Sequence, residues 1–256
     1  MIRTIRLLLK QVAYTNKAFW RNPASAFFTF AFPIMFLIIF NALLGNHTVL
    51  IGDKRAHYST YYVSAMGTFG LISACYTNIA ISISYARDEG LLKRISGTPL
   101  PKISYIGARV LHALFVALLL VVITALFGRL FYQAELPTGV TLLRFIVALV
   151  VGAVSFSALG FAVTSRVKDA DASPAVVNAS IFPLLFLSGI FIPLGNGAPS
   201  WIHWIARIFP VWHFALSMQA GFIGTAYNWT DVIIVAAWGL FGLLLSVRYF
   251  RWEPAR

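Results

Sequence analysis

Two acids and three bases stand within eight residues of ARDEGLLKRISGTPLP, the run from Ala86 to Pro101, in a chain whose other long stretches are apolar. Read as a short helix, RDEGLLKRIS carries Asp88 and Glu89 at its N-terminus and Lys93 and Arg94 near its C-terminus. Both ends then oppose the helix dipole, and Glu89 stands four residues before Lys93, the spacing of a helical ion pair. Gly97 supplies a left-handed stop, and Pro99 and Pro101 prevent continuation. Leu91, Leu92 and Ile95 fall on one side. A charged, self-terminated helix of this kind is suited to docking a partner rather than to making or breaking bonds.

Residue types that do bond chemistry elsewhere are absent or scattered. The chain has no GxxxxGK[ST] phosphate loop, no HExxH and no GxSxG. His47, His57, His112, His203 and His213 are dispersed, and only His112 reads as lying well inside an apolar run, where a polar contact to a neighbouring helix is expected. The single Cys75 excludes an intrachain disulfide and any multi-cysteine metal site. No catalytic residue, metal ligand or cofactor is therefore assigned to this chain. Its eight acids, Asp53, Asp88, Glu89, Glu135, Asp169, Asp171, Asp231 and Glu253, all fall in loops or at the edges of apolar runs. An ion-coupled transporter needs an ionisable group near the bilayer midplane. Energy for any transport is expected to come from another polypeptide.

The elements that must position the charged loop are membrane spans. Of 256 residues 59% are hydrophobic and only 11% charged, against about 25% in soluble domains. Six spans follow from the apolar runs, at about 24–44, 58–85, 103–131, 141–165, 174–194 and 229–250. The net charge of +12 does not point to nucleic acid, because the basic residues sit between the spans. Arg3, Arg6, Lys10, Lys17, Arg21, Arg87, Lys93, Arg94, Lys102, Arg166, Lys168, Arg248, Arg251 and Arg256 share one side; Lys54, Arg55, Arg129, Arg144 and Arg207 share the other, with Arg109 near the inner end of the third span. This bias places the N-terminus, the charged loop and the C-terminus in the cytoplasm. Residues 198–222 are apolar enough to span, but spanning would bury His203, Arg207 and His213 and export the C-terminus. A bent pair of short re-entrant helices is expected instead, with Trp201, Trp204 and Trp212 at headgroup level. Residues 1–22 form a helix of another kind, with Arg3, Arg6, Lys10, Lys17 and Arg21 in one sector and Ile2, Ile5, Leu8, Leu9, Val12 and Phe19 opposite, an interfacial pattern with its basic edge toward lipid headgroups. Asn22-Pro23 ends it. The expected fold is all-α: this interfacial helix, then one integral membrane domain over 23–256 with six spans and a re-entrant segment before the last.

These residues carry a family resemblance. The charged loop resembles the (E/D)-x-G-(T/L)-L-(K/E)-R-(L/I)-x-x-(T/S)-P-L segment between the second and third spans of ABC-2 type permeases, the membrane subunits of bacterial ATP-binding-cassette exporters. Asp88, Gly90, Leu91, Leu92, Lys93, Arg94, Ile95, Thr98, Pro99 and Leu100 match. The RNP of residues 21–23, FLSGIFIPL (186–194) and P-x-W-x-x-W-I-A-R-x-x-P (199–210) extend the resemblance over nearly the whole chain, and the last block is similar to the drug and antibiotic efflux branch. The resemblance implies a type V exporter-like half-transporter in the plasma membrane: two permease subunits, the second identical or related, with two ATPase subunits that hold ATP and magnesium. It implies that Glu89 through Ser96 form a coupling helix received by the ATPase, with Asp88, Gly97, Thr98 and Pro99 flanking it, and that Arg166 to Ala172, including Lys168 and Asp169, make a second contact.

By the same resemblance the substrate path runs between two permease copies, walled by the second and fifth spans. Tyr61, Phe69, Tyr76 and Asn78 on the second, and Asn178, Phe182 and Phe186 on the fifth, are its candidate lining, suited to a large amphipathic ligand. Export of drugs or other amphipathic molecules is the expected function. Export of a lipid or lipid-linked polysaccharide is the alternative within the family. A channel or an intramembrane enzyme would need a filter, a charged ring or convergent polar groups, none of which is evident in the sequence.

Overall fold

In lipid every backbone group must be satisfied within its own segment, and the apolar runs fold as helices accordingly. The computed structural model of the protein describes residues 2–51, 54–167, 169–191 and 199–253. Helix α1 (Ile2–Trp20) stops before Asn22-Pro23, and Pro23 takes the first position of α2 (Pro23–Leu44), where its missing N–H leaves nothing unsatisfied. Two short strands follow, β1 (Thr48–Ile51) and β2 (Lys54–His57), paired antiparallel with Ile51 opposite Lys54. This hairpin departs from the all-helical expectation. Its sequence signal is a Gly-Asp dipeptide between two short runs, in TVLIGDKRAH.

The second span is one unbroken helix of 31 residues made of three parts. These are α3 (Tyr58–Ile72), a π-helical turn (Ser73–Thr77) and α4 (Asn78–Asp88). At 1.5 Å per residue it is about 46 Å long. A six-residue helix, α5 (Leu91–Ser96), lies across its end, and then come α6 (Lys102–Tyr132) and α7 (Gly139–Thr164). Helix α8 (Ser173–Leu187) is followed by α9 (Ser200–Ile208), α10 (Pro210–Ile223) and α11 (Trp229–Tyr249). Among the described residues, five helices are long and apolar enough to cross a bilayer. The sixth expected span, 174–194, is shorter: α8 ends at Leu187, about 22 Å from its start, where Gly189 turns the chain with φ +76. Residues 192–194 of that expected span lie outside the described residues.

Register within the bundle follows from close contacts. Gly239 and Gly242 of α11 lie against Ser155 and Leu159 of α7, so these helices run parallel, and a Cβ on either glycine would collide with α7. Phe214 packs on Gly152 and Gly221 on the Phe145 backbone, so α10 runs antiparallel to α7. Tyr76 is hydrogen-bonded to Ser180, and the Tyr61 hydroxyl donates to the Gly189 carbonyl, which sets α8 antiparallel to α3 and α4. With its terminal turn, α8 thus reaches from the level of α4 to the level of Tyr61 near the start of α3.

One end of the bundle, the loop end, gathers elements distant in sequence. The Ser104 hydroxyl of α6 meets the Thr4 carbonyl of α1 at 3.4 Å, and Leu8 packs over Gly107. After α11, Trp252 lies 6.1 Å from the Tyr105 ring, with Lys102 Nζ 5.1 Å from the Trp252 ring centroid. The opposite, hairpin end is tied by Ser59 Oγ donating to the Tyr132 carbonyl at 2.9 Å and by Lys54 Nζ donating to the Ile223 carbonyl at 3.0 Å.

Between α8 and α11 the chain makes a V. Phe209 is extended, Pro210 starts α10, and Trp238 Nε1 donates to the Ile208 carbonyl at 3.2 Å while the Phe209 and Trp238 rings stack at 6.0 Å. Trp238 is near the middle of α11, so the vertex sits halfway down the bundle. The bent pair expected for residues 198–222 is present, and α10 is largely buried rather than lying on the surface. One detail differs. Trp201 and Trp204 are exposed on α9, but Trp212 sits near the vertex beneath Arg207, not with the other two.

Candidate coupling surface and substrate path

The charged loop is built differently from the helix its residues spelled out. Asp88 is the last residue of α4 and Glu89 caps it, with the Glu89 N–H donating to the Tyr85 carbonyl at 2.9 Å, so these acids close the preceding helix instead of opening the short one. The break comes at Gly90, which takes the left-handed conformation at φ +69, and Gly97 remains right-handed at φ −82. The expected coupling helix of Glu89 to Ser96 is therefore α5, Leu91–Ser96, hinged on a glycine. Among the described residues no ion pair joins Glu89 to Lys93; an Arg94 N–H reaches the Glu89 carbonyl at 3.2 Å instead.

Side chains divide α5 into two faces. Leu92 is fully buried, with Ile95 and Leu100 packed against the same core, so an apolar face pins the helix to the loop end. Asp88, Glu89, Leu91, Lys93, Arg94, Ser96, Gly97, Thr98 and Pro99 are exposed. The stop is local: Ser96 Oγ donates to the Lys93 carbonyl at 2.8 Å and Thr98 Oγ1 to the Ile95 carbonyl at 2.7 Å, satisfying carbonyls that the short helix leaves open.

The second predicted contact lies beside the first, and a residue the sequence reading did not single out joins them. Arg87 is 4% exposed, and its guanidinium donates to the Thr164 carbonyl at 2.7 Å and to the Val167 carbonyl. It therefore ties the end of α4 to the end of α7 and to the segment that follows. Arg166 and Asp169 are exposed there, with Asp169 Oδ1 accepting the Asp171 N–H at 3.1 Å. Lys168 lies outside the described residues. Arg87 read as one more charge in a charged run because its partners are 77 and 80 residues away.

The predicted path residues separate into three groups. Tyr61 and Tyr76 are buried and hydrogen-bonded to the Gly189 carbonyl and to Ser180, binding α3 and the π turn to α8, and Tyr76 with Ser180 also lines a cavity of about 250 Å³ beside α7 and α11. Phe69 and Phe186 come together through Phe191, whose ring lies 5.5 Å and 5.0 Å from theirs. Phe191 also touches Phe36 at 5.7 Å, and Phe32 lies 5.7 Å from Phe69, so an aromatic cluster joins α2, α3 and the turn after α8. Phe182 and Phe186 are exposed on the outer face of α8, Asn178 is half-buried, and Asn78 opens on a cavity that Phe69 also lines, with Arg109 and His112.

A second missed feature is the pair His213 and Asp231. His213 Nδ1 lies 2.6 Å from Asp231 Oδ1, and its Nε2 lies 2.9 Å from the Arg207 carbonyl. Both residues are buried, so His112 is not the sole histidine inside the bundle, and Asp231 is not a free edge acid. The pair fixes α10 to α11 just above the vertex.

Comparisons with known proteins agree on one class. A family model described as "ABC-2 type transporter" matches residues 7–223. YvfS of Bacillus subtilis (strain 168), which carries a provisional transport-permease name, is 23% identical over 247 residues, covering 96% of this chain and 98% of the relative. The inner membrane transport permease YadH of Escherichia coli (strain K12) is 26% identical over 220 residues, covering 84% of this chain and 80% of the relative. Together with the five long apolar helices, these similarities make the protein membrane-integral.

Proposed function

The chain belongs to the ABC-2 type transporter family, and on that premise we propose that it is the membrane-spanning permease subunit of an ATP-driven exporter, worked by a separate ATPase that seats on α5. The observation that carries the reading is the two-faced build of α5. Leu92 anchors it to the bundle while Glu89, Lys93 and Arg94 stand exposed at the loop end. Asp88, Gly90, Leu91, Ile95, Ser96, Gly97, Thr98 and Pro99 complete this surface, and the 166–172 segment, with Arg166 and Asp169, is its neighbour through Arg87.

The assembly is two permease copies, identical or related, with two ATPases that bind ATP and magnesium. The loop end and both chain termini face the cytoplasm of a bacterial cell. Closure of the ATPase dimer pushes α5, and Arg87 carries the push to α4 and α7 together, switching the permease between inward- and outward-facing states. The cargo is a drug-like or other amphipathic molecule. The exposed Phe182 and Phe186, with the aromatic cluster behind them, form the apolar wall that each copy offers.

Charge reversal at exposed positions tests this without disturbing the core. Glu89→Lys and the double variant Lys93→Glu/Arg94→Glu are expected to lower ATPase co-purification and cargo-stimulated ATP hydrolysis about tenfold or more. Thermal unfolding of the permease alone should stay unchanged. Full coupling in both variants would refute the docking role of α5.

A further inference from the structure

A cavity of about 630 Å³ opens between α1, α2, the π turn with α4, and α6. One side is aromatic, with Phe28, Phe32 and Phe69; on the other Asn78, Arg109 and His112 converge, and no carboxylate lines it. His112 is 8% exposed, packs edge-on against Phe19 at 5.5 Å, and its buried Nδ1 has no hydrogen-bond partner. Arg109 donates to the Tyr105 hydroxyl at 3.0 Å, yet its Nε is buried and unpaired, and among the described residues no acid meets its charge. Arg109, a cation with no acid partner among the described residues, calls for an anion at this wall, and the neighbouring imidazole can donate a hydrogen bond to it. The π turn brings Ser73, Ala74 and Thr77 to the same space, and such turns are frequent at binding sites.

Depth decides what kind of anion. Arg109 and Arg129 bracket nineteen uncharged residues of α6, about 28 Å of helix, which matches a hydrocarbon core of about 30 Å. Arg109 therefore stands at the headgroup level of the loop end. The first turns of α6, alongside α1, project beyond that level. The guanidinium fork suits phosphate oxygens, and the aromatic side lies where acyl chains would continue from a headgroup.

We propose that this cavity holds the phosphate of an anionic phospholipid from the leaflet at the loop end, with Arg109 and His112 as its ligands. A net anion neutralises Arg109, whereas a zwitterionic headgroup brings its phosphate with a cation of its own and no net compensating charge. The site belongs to one permease chain, so its test does not depend on ATPase docking.

Full-length permease in detergent is titrated with short-chain phosphatidylglycerol, phosphatidylcholine of the same chain length, and inorganic phosphate, and is read by native mass spectrometry and thermal unfolding. The wild type is expected to hold phosphatidylglycerol at least about tenfold more tightly than phosphatidylcholine, and inorganic phosphate should not displace it. Arg109→Gln should weaken that binding about tenfold or more. Ser82→Leu narrows the cavity from the α4 wall while keeping the Arg109 charge and should weaken binding comparably. Arg55→Gln, exposed at the hairpin end and away from the cavity, should leave it unchanged. If Arg109→Gln does not fold, Ser82→Leu and the lipid comparison decide. Equal affinity for the two lipids, displacement by phosphate, or binding unaltered in the folded cavity variants would each overturn the proposal.

Discussion

Arg87 is the residue on which the loop end depends. Its buried guanidinium satisfies two carbonyls at the end of α7, and removing it leaves both without a partner in a closed space. Arg87→Met is expected to cost on the order of 2–3 kcal/mol, seen as a lowered unfolding temperature in detergent, and to uncouple ATP hydrolysis from transport while α5 stays charged. Gly90 is the other decisive position. At φ +69 a branched side chain is strained, so Gly90→Val should cost about 1–2 kcal/mol and weaken ATPase co-purification, whereas Gly90→Asn should be tolerated. The sequence marked this segment as special but misplaced its hinge. Gly90 and Gly97 are chemically the same, and the choice between them is made by Leu92 entering the core and Arg87 reaching α7, contacts that local spacing does not contain.

Among the elements, the V of α9 and α10 rests on the pairing of His213 with Asp231. Removing one partner leaves a buried polar group unmatched, and Asp231→Ala or His213→Ala alone should cost about 3 kcal/mol or more. The double variant His213→Ala/Asp231→Ala should lose clearly less than the two single losses combined, as a double-mutant cycle of thermal unfolding would report. The long spans were legible because length and hydropathy fix them. The bend was legible because a straight span over 198–222 would bury His203, Arg207 and His213. The end of α8 was not: FLSGIFIPL is apolar throughout, and its turn at Gly189 is set by Tyr61, 128 residues away, capturing the Gly189 carbonyl. The small hairpin was passed over because its four-residue strands contribute little to an apolar count.

For the whole molecule, the meeting of α1, α5, the 166–172 segment and the residues after α11 at one end predicts sidedness. In a Cys75→Ala background, Leu50→Cys at the hairpin end should react with an impermeant maleimide in intact cells, and Glu253→Cys only after permeabilisation. Reaction of Glu253→Cys from outside would invert the arrangement. The aromatic cluster, Arg87 and the cavity at Arg109 all border the same 31-residue helix, which therefore senses the loop end, the α8 face and the bound headgroup at once. Gly160 of α7 presses on the Cys75 and Tyr76 carbonyls, which lie within the π turn, with fifteen residues of helix on one side and eleven on the other. If α5 is pushed as proposed, that arrangement works as a lever with its fulcrum at Gly160: displacement of the short arm at the loop end would return as an opposite swing of the long arm at the hairpin end, enlarged by about 1.4.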